Sequence, residues 1–204
     1  MLQRTAPLIV SALVLLATSP AFAQSSALSH LERRHEAVNR ILRTAAETEA
    51  ARRRRSQRLT RLLNELLDYE TLSARALSDH WESRSEEDRA RFVEMLRQLV
   101  ERNYEQNLER ILDFEISYED ETQNEDETVV TTSARSRTQR RQPPVEIQYR
   151  LVEREGEWRV VDVTTDGVSM VENYRSQFNR IIQRDGWDEL IERMERRLAA
   201  GDDA

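Results

Sequence analysis

Apolar residues recur every three or four positions through the first half of the chain, and this spacing predicts amphipathic helices. The first helical stretch covers residues 28–67. Asp68 can cap the next helix, which ends near Trp81, and Ser85 is typical of the residue before another helix. The stripe of that long helix contains the apolar residues Phe92, Leu96, Leu99, Leu108 and Ile111, with Asn103 at one of its positions.

Four stretches in which apolar and polar residues alternate come next, and they predict four strands. Phe114, Ile116 and Tyr118 mark the first strand, the second lies near residues 128–138, and the fourth covers residues 157–165. Because the connections between consecutive strands are short, we expect an antiparallel meander. The apolar positions of the third strand are Val145, Ile147, Tyr149 and Leu151.

The segment from Trp158 to Phe178 passes directly from a strand into a helix. Its β-branched residues are dense between positions 160 and 165, and Ser169 with Glu172 fits a capping box at a helix start. The apolar face of this helix must therefore lie against the sheet or line a cavity beside it. That face consists of Val168, Val171, Tyr174, Phe178 and Ile181.

These elements together predict an α+β fold. Its parts are N-terminal helices, a four-stranded curved antiparallel sheet, and two C-terminal helices at about residues 169–183 and 187–199. We expect the C-terminal helices to pack on one face of the sheet and enclose a cavity with it.

The first 23 residues have the pattern of a secretory signal. Arg4 precedes an apolar run over residues 8–17, and Ala21-Phe22-Ala23 has the form of a cleavage site. The run is too short to span a bilayer. We expect a signal peptide over residues 1–23, a single domain over residues 24–200 and a disordered tail at residues 201–204, so that the cleaved protein is periplasmic.

Composition excludes several classes of protein. The chain contains no cysteine, so it has neither a disulfide nor a lipid-modified cysteine that could anchor it to a membrane. Without Arg4 of the signal segment, 30 basic residues face 38 acidic ones, which gives a net charge of −8. Because nucleic-acid binding depends on concentrated positive charge, we expect no nucleic-acid partner.

The strand-to-helix segment and three further blocks of sequence resemble those of the MlaC family of toluene-tolerance proteins, which are periplasmic phospholipid carriers. The first is the Asp68-Tyr69 start of a short helix ending at Trp81, and the second is the acidic turn at residues 85–88 that precedes Phe92 and Tyr104. The strand-to-helix segment described above comes next in the same order. The third block, residues 185–191, is similar to the closing helix of the family.

The resemblance implies a function that needs no catalysis. A monomeric carrier would hold a glycerophospholipid by its acyl chains and move it across the periplasm. Its protein partners would be an outer-membrane lipoprotein–porin complex and an inner-membrane ABC transporter with its lipid-binding subunit. The system to which such carriers belong maintains the lipid asymmetry of the outer membrane.

Facing direction and the resemblance together indicate which residues would contact the lipid. A shuttle needs a dry cavity because each acyl methylene exposed to water costs about 0.8 kcal/mol. One wall would come from the third and fourth strands and the helix after them, and the opposite wall from the helices before the sheet. The residues of the first wall are Ile147, Tyr149, Val160, Val163, Val168, Val171, Tyr174 and Phe178; those of the second are Tyr69, Leu72, Trp81, Phe92, Leu96 and Leu99.

Other functions stay open at the level of sequence. A carrier of another lipid such as a hopanoid is the nearest alternative, and a structural envelope protein is another. A cone-shaped isomerase or hydrolase would use Asp162 as its acid or base together with Tyr149. We favour a structural role for Asp162, because a buried carboxylate must be paired or neutral in any case. The three histidines are scattered and no phosphate-binding loop is present, so we expect neither a metal nor another cofactor.

Overall fold

The computed structural model describes residues 26–200. The expected signal peptide, residues 1–23, and the expected tail, residues 201–204, lie outside the described residues, and the extent of the domain stays a prediction. The chain begins with the helices α1 (Ala27–Leu42), α2 (Glu49–Leu66), α3 (Tyr69–Leu77) and α4 (Glu86–Ile111). The sheet follows as β1 (Phe114–Gln123), β2 (Thr128–Ser136), β3 (Val145–Arg154), β4 (Glu157–Thr165) and β5 (Val168–Ser169). The last helices are α5 (Met170–Asp185) and α6 (Trp187–Ala199).

Side-chain caps fix where most of the helices begin. Asp68 accepts a hydrogen bond from the backbone N–H of Thr71 at 2.9 Å, as predicted. Ser85 and Ser169 accept equivalent bonds from the residues three positions later, at 3.1 and 3.0 Å. Because these bonds satisfy N–H groups that a helix leaves unpaired, short-range sequence signals suffice to place the helix starts.

The sheet is the predicted antiparallel meander, with the strands in the order β1-β2-β3-β4-β5. It has one strand more than the four predicted, because Val168 and Ser169 pair with the end of β4 before α5 begins. The turn between β3 and β4 consists of Glu155 and Gly156, whose φ angles are +53° and +81°. Two consecutive positive φ angles are the mark of a type I′ hairpin turn, whose twist matches that of the strands.

A β-bulge in β4 changes which side chains share a face of the sheet. Leu151 pairs with Val160 and Arg150 pairs with Asp162, so Val161 is the extra residue. The inserted residue shifts the alternation of side chains by one position. Val160 and Val163 therefore lie on the same face although they are three residues apart.

Two core clusters connect the layers. The first joins α1 and α3 to the sheet, and the link between α2 and α3 reaches the sheet where the N–H of Asp68 donates to the carbonyl of Val160 at 3.0 Å. The second joins α3, α4, α5 and α6 around Phe92, whose ring lies edge-on to Phe178 with 5.5 Å between centroids and 5.8 Å from Trp187. At this cluster the helices α3 and α4, which precede the sheet in the chain, therefore pack against α5 and α6, which follow it.

Replacing Phe92 with alanine should destabilise the fold by about 3–5 kcal/mol, the usual cost of removing a fully buried aromatic ring. Phe92 has no exposed surface, and its neighbours are themselves held by helix packing. Urea unfolding measures the loss. The variant V168A is the control, because Val168 is 60% exposed and should change the free energy of unfolding by no more than about 0.5 kcal/mol. A loss below 1 kcal/mol for F92A would contradict tight packing of this cluster.

Candidate functional site

A cavity of about 470 Å³ separates one face of the sheet from the helices α1, α2 and α4. Its wall is mostly aliphatic and aromatic, with Arg34, His35 and Asn39 of α1 as the main polar contributors. A pocket of this size and character is typical of a site for an apolar ligand. The apolar residues of the wall are Val38, Leu62, Leu63, Leu66, Leu67, Val100, Tyr104, Ile111, Phe114, Ile116, Ala134, Val145, Ile147, Tyr149, Val160, Val163 and Met170.

Four of the predicted site residues lie in this wall: Ile147 and Tyr149 of β3, and Val160 and Val163 of β4. Alternation along β3 places the first two on one face. The bulge at Val161 places the second two on the same face.

An open groove of about 450 Å³ adjoins the cavity and shares Val163 and Met170 with it. Val168 and Tyr174, two further predicted site residues, line this groove. Its other residues are polar but uncharged, apart from the shared pair. They are Thr165, Ser169, Asn173 and Gln177.

The structure places the remaining eight predicted site residues in or against packed clusters and not in the cavity wall. Five of them face neighbouring helices, and the other three pack where helices meet the sheet. Tyr69, Leu72 and Val171 belong to the first core cluster, and Trp81, Phe92, Leu96, Leu99 and Phe178 belong to or pack against the second.

Sequence reasoning missed the contribution of the first two helices. Val38, Leu62 and Leu66 belong to the helical apolar pattern of residues 28–67, but nothing in that pattern indicates that it lines a cavity. Phe114 and Ile116 were assigned to a strand without a role in the site. The available signal was the alternation of β1, which places these two side chains on one face.

A polar trio, His35, Tyr118 and Tyr149, lies within the otherwise apolar region. His35 Nδ1 and the Tyr118 hydroxyl are 2.6 Å apart, and His35 Nε2 and the Tyr149 hydroxyl are 3.4 Å apart. Burial lowers the pKa of His35 from 6.5 to about 4, so the imidazole is neutral at neutral pH. Burial likewise raises the pKa of Tyr149 to about 12. The trio is therefore an uncharged hydrogen-bonding group, of which His35 and Tyr149 line the cavity.

The one arginine of the cavity wall is paired. Arg34 Nη1 donates to Glu65 Oε2 at 2.7 Å, and its Nε lies 3.4 Å from His30 Nε2. An arginine held by a carboxylate carries little net field into the cavity, because the opposite charges lie close together. The wall thus offers an apolar surface and hydrogen-bonding groups, and Glu65 balances the positive charge of Arg34.

Asp162 has the structural role that the sequence favoured, but its partners are hydroxyl and backbone groups and not an arginine. Its side chain is 7% exposed and accepts hydrogen bonds from Ser169 Oγ at 2.7 Å and from the N–H groups of Val163 and Val171 at 2.8 and 3.1 Å. The carboxylate therefore ties β4 to the start of α5, where the helix dipole also favours a negative charge.

The proposed acid–base pair is not assembled. Tyr149 lines the cavity, whereas Asp162 is absent from its wall, because the bulge places the aspartate on the other side of β4. Within residues 26–200, no group of three or more histidine, cysteine or acidic residues could hold a metal ion. Over the same residues, the structure contains no helix with the length and apolarity needed to cross a membrane.

Comparison with known proteins points to one family. The family model described as MlaC protein matches residues 32–196. The intermembrane phospholipid transport system binding protein MlaC of Haemophilus influenzae is 28% identical over 137 residues, which are 65% of this chain and 64% of that protein's length. A phospholipid-binding protein from Ralstonia solanacearum, solved in complex with a phospholipid, has the same fold. It aligns with a TM-score of 0.68 and 20% identity over 86% of this chain and 98% of the other.

The change Asp162→Asn should lower the free energy of unfolding by about 1–3 kcal/mol, because an amide nitrogen cannot accept one of the three hydrogen bonds that the carboxylate accepts. Chemical denaturation measures this. Asp126 is exposed at the β1–β2 turn, so the control D126N should shift stability by less than about 0.5 kcal/mol. Equal stability of D162N and the unchanged protein would refute the structural role of Asp162.

His35 should stay neutral well below pH 6.5. Its folded-state pKa of about 4 lies below the ordinary value of 6.5, so protonation favours the unfolded chain. Its contribution to stability is then complete above about pH 6.5 and is lost as the pH falls toward 4. A ¹⁵N NMR titration, with the His35 signals assigned by their absence in H35Q, should show no protonation step near pH 6.5. A midpoint near 6.5 would contradict the buried position of the ring.

Proposed function

Because this chain belongs to the MlaC family, we propose that it carries glycerophospholipid through the periplasm with the acyl chains held in the cavity beneath the sheet. In this proposal the protein is a monomer that diffuses between two membrane systems. One is an outer-membrane lipoprotein–porin complex and the other is an inner-membrane ABC transporter with its lipid-binding subunit. The transfer would maintain the lipid asymmetry of the outer membrane.

The observation that carries the proposal is the apolar cavity between the sheet and α1, α2 and α4. A lipid leaves a membrane only if its methylenes remain out of water, each at a cost of about 0.8 kcal/mol when exposed. A wall of aliphatic and aromatic side chains replaces the bilayer interior for that purpose. Nothing in the cavity needs to react with the lipid, so uptake is a partition between two apolar phases.

The geometry also supports a division of the lipid between two regions. The cavity would hold acyl chain against Ile147, Tyr149, Val160 and Val163. The open groove that shares Val163 with it would lead the polar end of the lipid toward solvent. A charged headgroup then keeps its hydration, because it does not enter the apolar cavity.

The relatives support the lipid class. The protein from Haemophilus influenzae is named as a phospholipid transport binding protein, and the protein from Ralstonia solanacearum was solved with a phospholipid bound. This chain spans 64% of the length of the first, so its substrate and partners remain part of the proposal. No observation of the described residues favours the isomerase, since Asp162 and Tyr149 lie on different faces of the sheet.

Filling the cavity should remove lipid binding without unfolding the protein. Ala134 lies in the wall with 4% of its surface exposed, and phenylalanine at this position would occupy space that the lipid needs. The empty volume accepts the larger ring, so A134F should keep its thermal midpoint. We expect at least tenfold less phospholipid taken from vesicles, which corresponds to about 1.4 kcal/mol or more.

The matched control is Ala50→Phe, because Ala50 is exposed in the first turn of α2. Lipid uptake from vesicles is followed by mass spectrometry after the protein is separated from them. Equal uptake by A134F and A50F would show that the cavity does not hold the lipid. Uptake of a non-phospholipid such as a hopanoid would keep the carrier and change its cargo.

A further inference from the structure

The polar trio, two of whose members line the cavity, has one hydrogen-bond donor more than its internal bonds use. A neutral imidazole carries one N–H, and each of the two phenols carries one O–H, which makes three donors. Two hydrogen bonds join the trio, one between His35 and Tyr118 and one between His35 and Tyr149. Neither hydroxyl bonds to any other described residue. One hydrogen is therefore left over, and the tautomer of His35 decides which tyrosine carries it.

In one arrangement the spare hydrogen faces away from the cavity. His35 Nδ1–H donates to Tyr118, Tyr149 donates to Nε2, and the hydroxyl hydrogen of Tyr118 is free. Tyr118 is absent from the cavity wall and its side chain is only partly buried. This arrangement satisfies the trio while the cavity is empty, because solvent can accept the spare hydrogen of a partly exposed hydroxyl.

In the other arrangement the spare hydrogen faces the cavity. Tyr118 donates to His35 Nδ1 across the short 2.6 Å contact, and Nε2–H donates to the Tyr149 oxygen. The hydroxyl hydrogen of Tyr149, which lines the cavity, is then without an acceptor in the protein. An unsatisfied donor in an apolar cavity is unfavourable, so this arrangement requires an acceptor on the ligand.

We propose that Tyr149 donates this hydrogen bond to the carbonyl oxygen of an acyl ester in the bound lipid, with His35 and Tyr118 setting the orientation of its hydroxyl. The inference rests on the proposed function. Methylenes offer no acceptor, and a phosphate would have to be dehydrated to reach an apolar wall, so the neutral carbonyl is the part of the lipid that fits.

The position of Tyr149 agrees with such a contact. It pairs across the sheet with Val163, one of the two residues that belong to both the cavity and the open groove. The backbone of Tyr149 therefore lies next to the strand that borders the groove. In this proposal the headgroup extends toward the groove, while the chain beyond the carbonyl lies among the apolar residues. Tyr149 would thus distinguish lipids by the type of linkage and not by headgroup.

A competition between two lipids that differ only at the carbonyl tests the proposal. The full chain is equilibrated with equimolar diester and diether phosphatidylethanolamine of equal chain length, and native mass spectrometry counts the two complexes by mass. One hydrogen bond is worth about 1 kcal/mol, so the protein should prefer the diester by about fivefold. The variant Y149F, which keeps the ring and removes the hydroxyl, should bind both lipids about equally.

The variant T132V is the matched control. Thr132 is a buried hydroxyl on the same sheet that donates to the carbonyl of Ile147 at 3.0 Å and does not line the cavity. It should keep the fivefold preference even if its stability falls. Thermal unfolding of each variant establishes that the fold is present.

Three results would overturn the inference. Equal binding of the two lipids by the unchanged protein would overturn the inference and leave the carrier function intact. This result does not depend on whether any variant folds. A preference that survives in Y149F, whether or not Y104F loses it, would remove the role of Tyr149. Failure to bind either lipid would remove the proposed function and the inference with it.

Discussion

The gap between the sheet and the helices α1, α2 and α4 is the constraint on which the rest of the structure depends. Two apolar surfaces in water normally close on each other, because contact removes both from solvent. Engineered cavities cost about 24 cal/mol per Å³, so an empty cavity of 470 Å³ would cost on the order of 10 kcal/mol. That is comparable to the whole stability of a typical domain. An apolar occupant would remove this cost, which agrees with the proposed carrier function.

Packing elsewhere keeps the gap open. The helices α3 to α6 form a dense cluster around Phe92, and Asp162 fixes the start of α5 to β4. These contacts hold one part of the molecule without help from the cavity wall. The helices α1 and α2 are joined to the sheet by the first core cluster and by hydrogen bonds, such as those that the N–H groups of Ala27 and Leu28 donate to Glu121 at 3.2 and 3.3 Å. Contacts on both sides of the cavity therefore keep its walls apart.

Most of the fold could be predicted from the sequence because its signals are local. A serine or aspartate cap acts over three residues, and a strand shows itself by alternation over five or six, so Asp68, Ser85, Ser169 and the four long strands were placed correctly. The pairing of Val168 and Ser169 with β4 could not be predicted, because two residues are too few to show the alternation that marks a strand.

The site was harder to predict, since an apolar stripe looks the same whether it packs against a helix or lines a cavity. Phe178 and Leu96 face neighbouring helices, whereas Ile147 and Val163 face the gap. Only the three-dimensional arrangement separates the two cases. The polar trio joins His35 to tyrosines 83 and 114 residues away in the chain, a separation that no sequence spacing could indicate. The central claim, that this cavity holds phospholipid, is tested most directly by native mass spectrometry with solvent extraction on mature protein purified from periplasm without detergent. We expect phospholipid in a stoichiometric amount; a folded protein without any bound lipid would show that the cavity does not hold it.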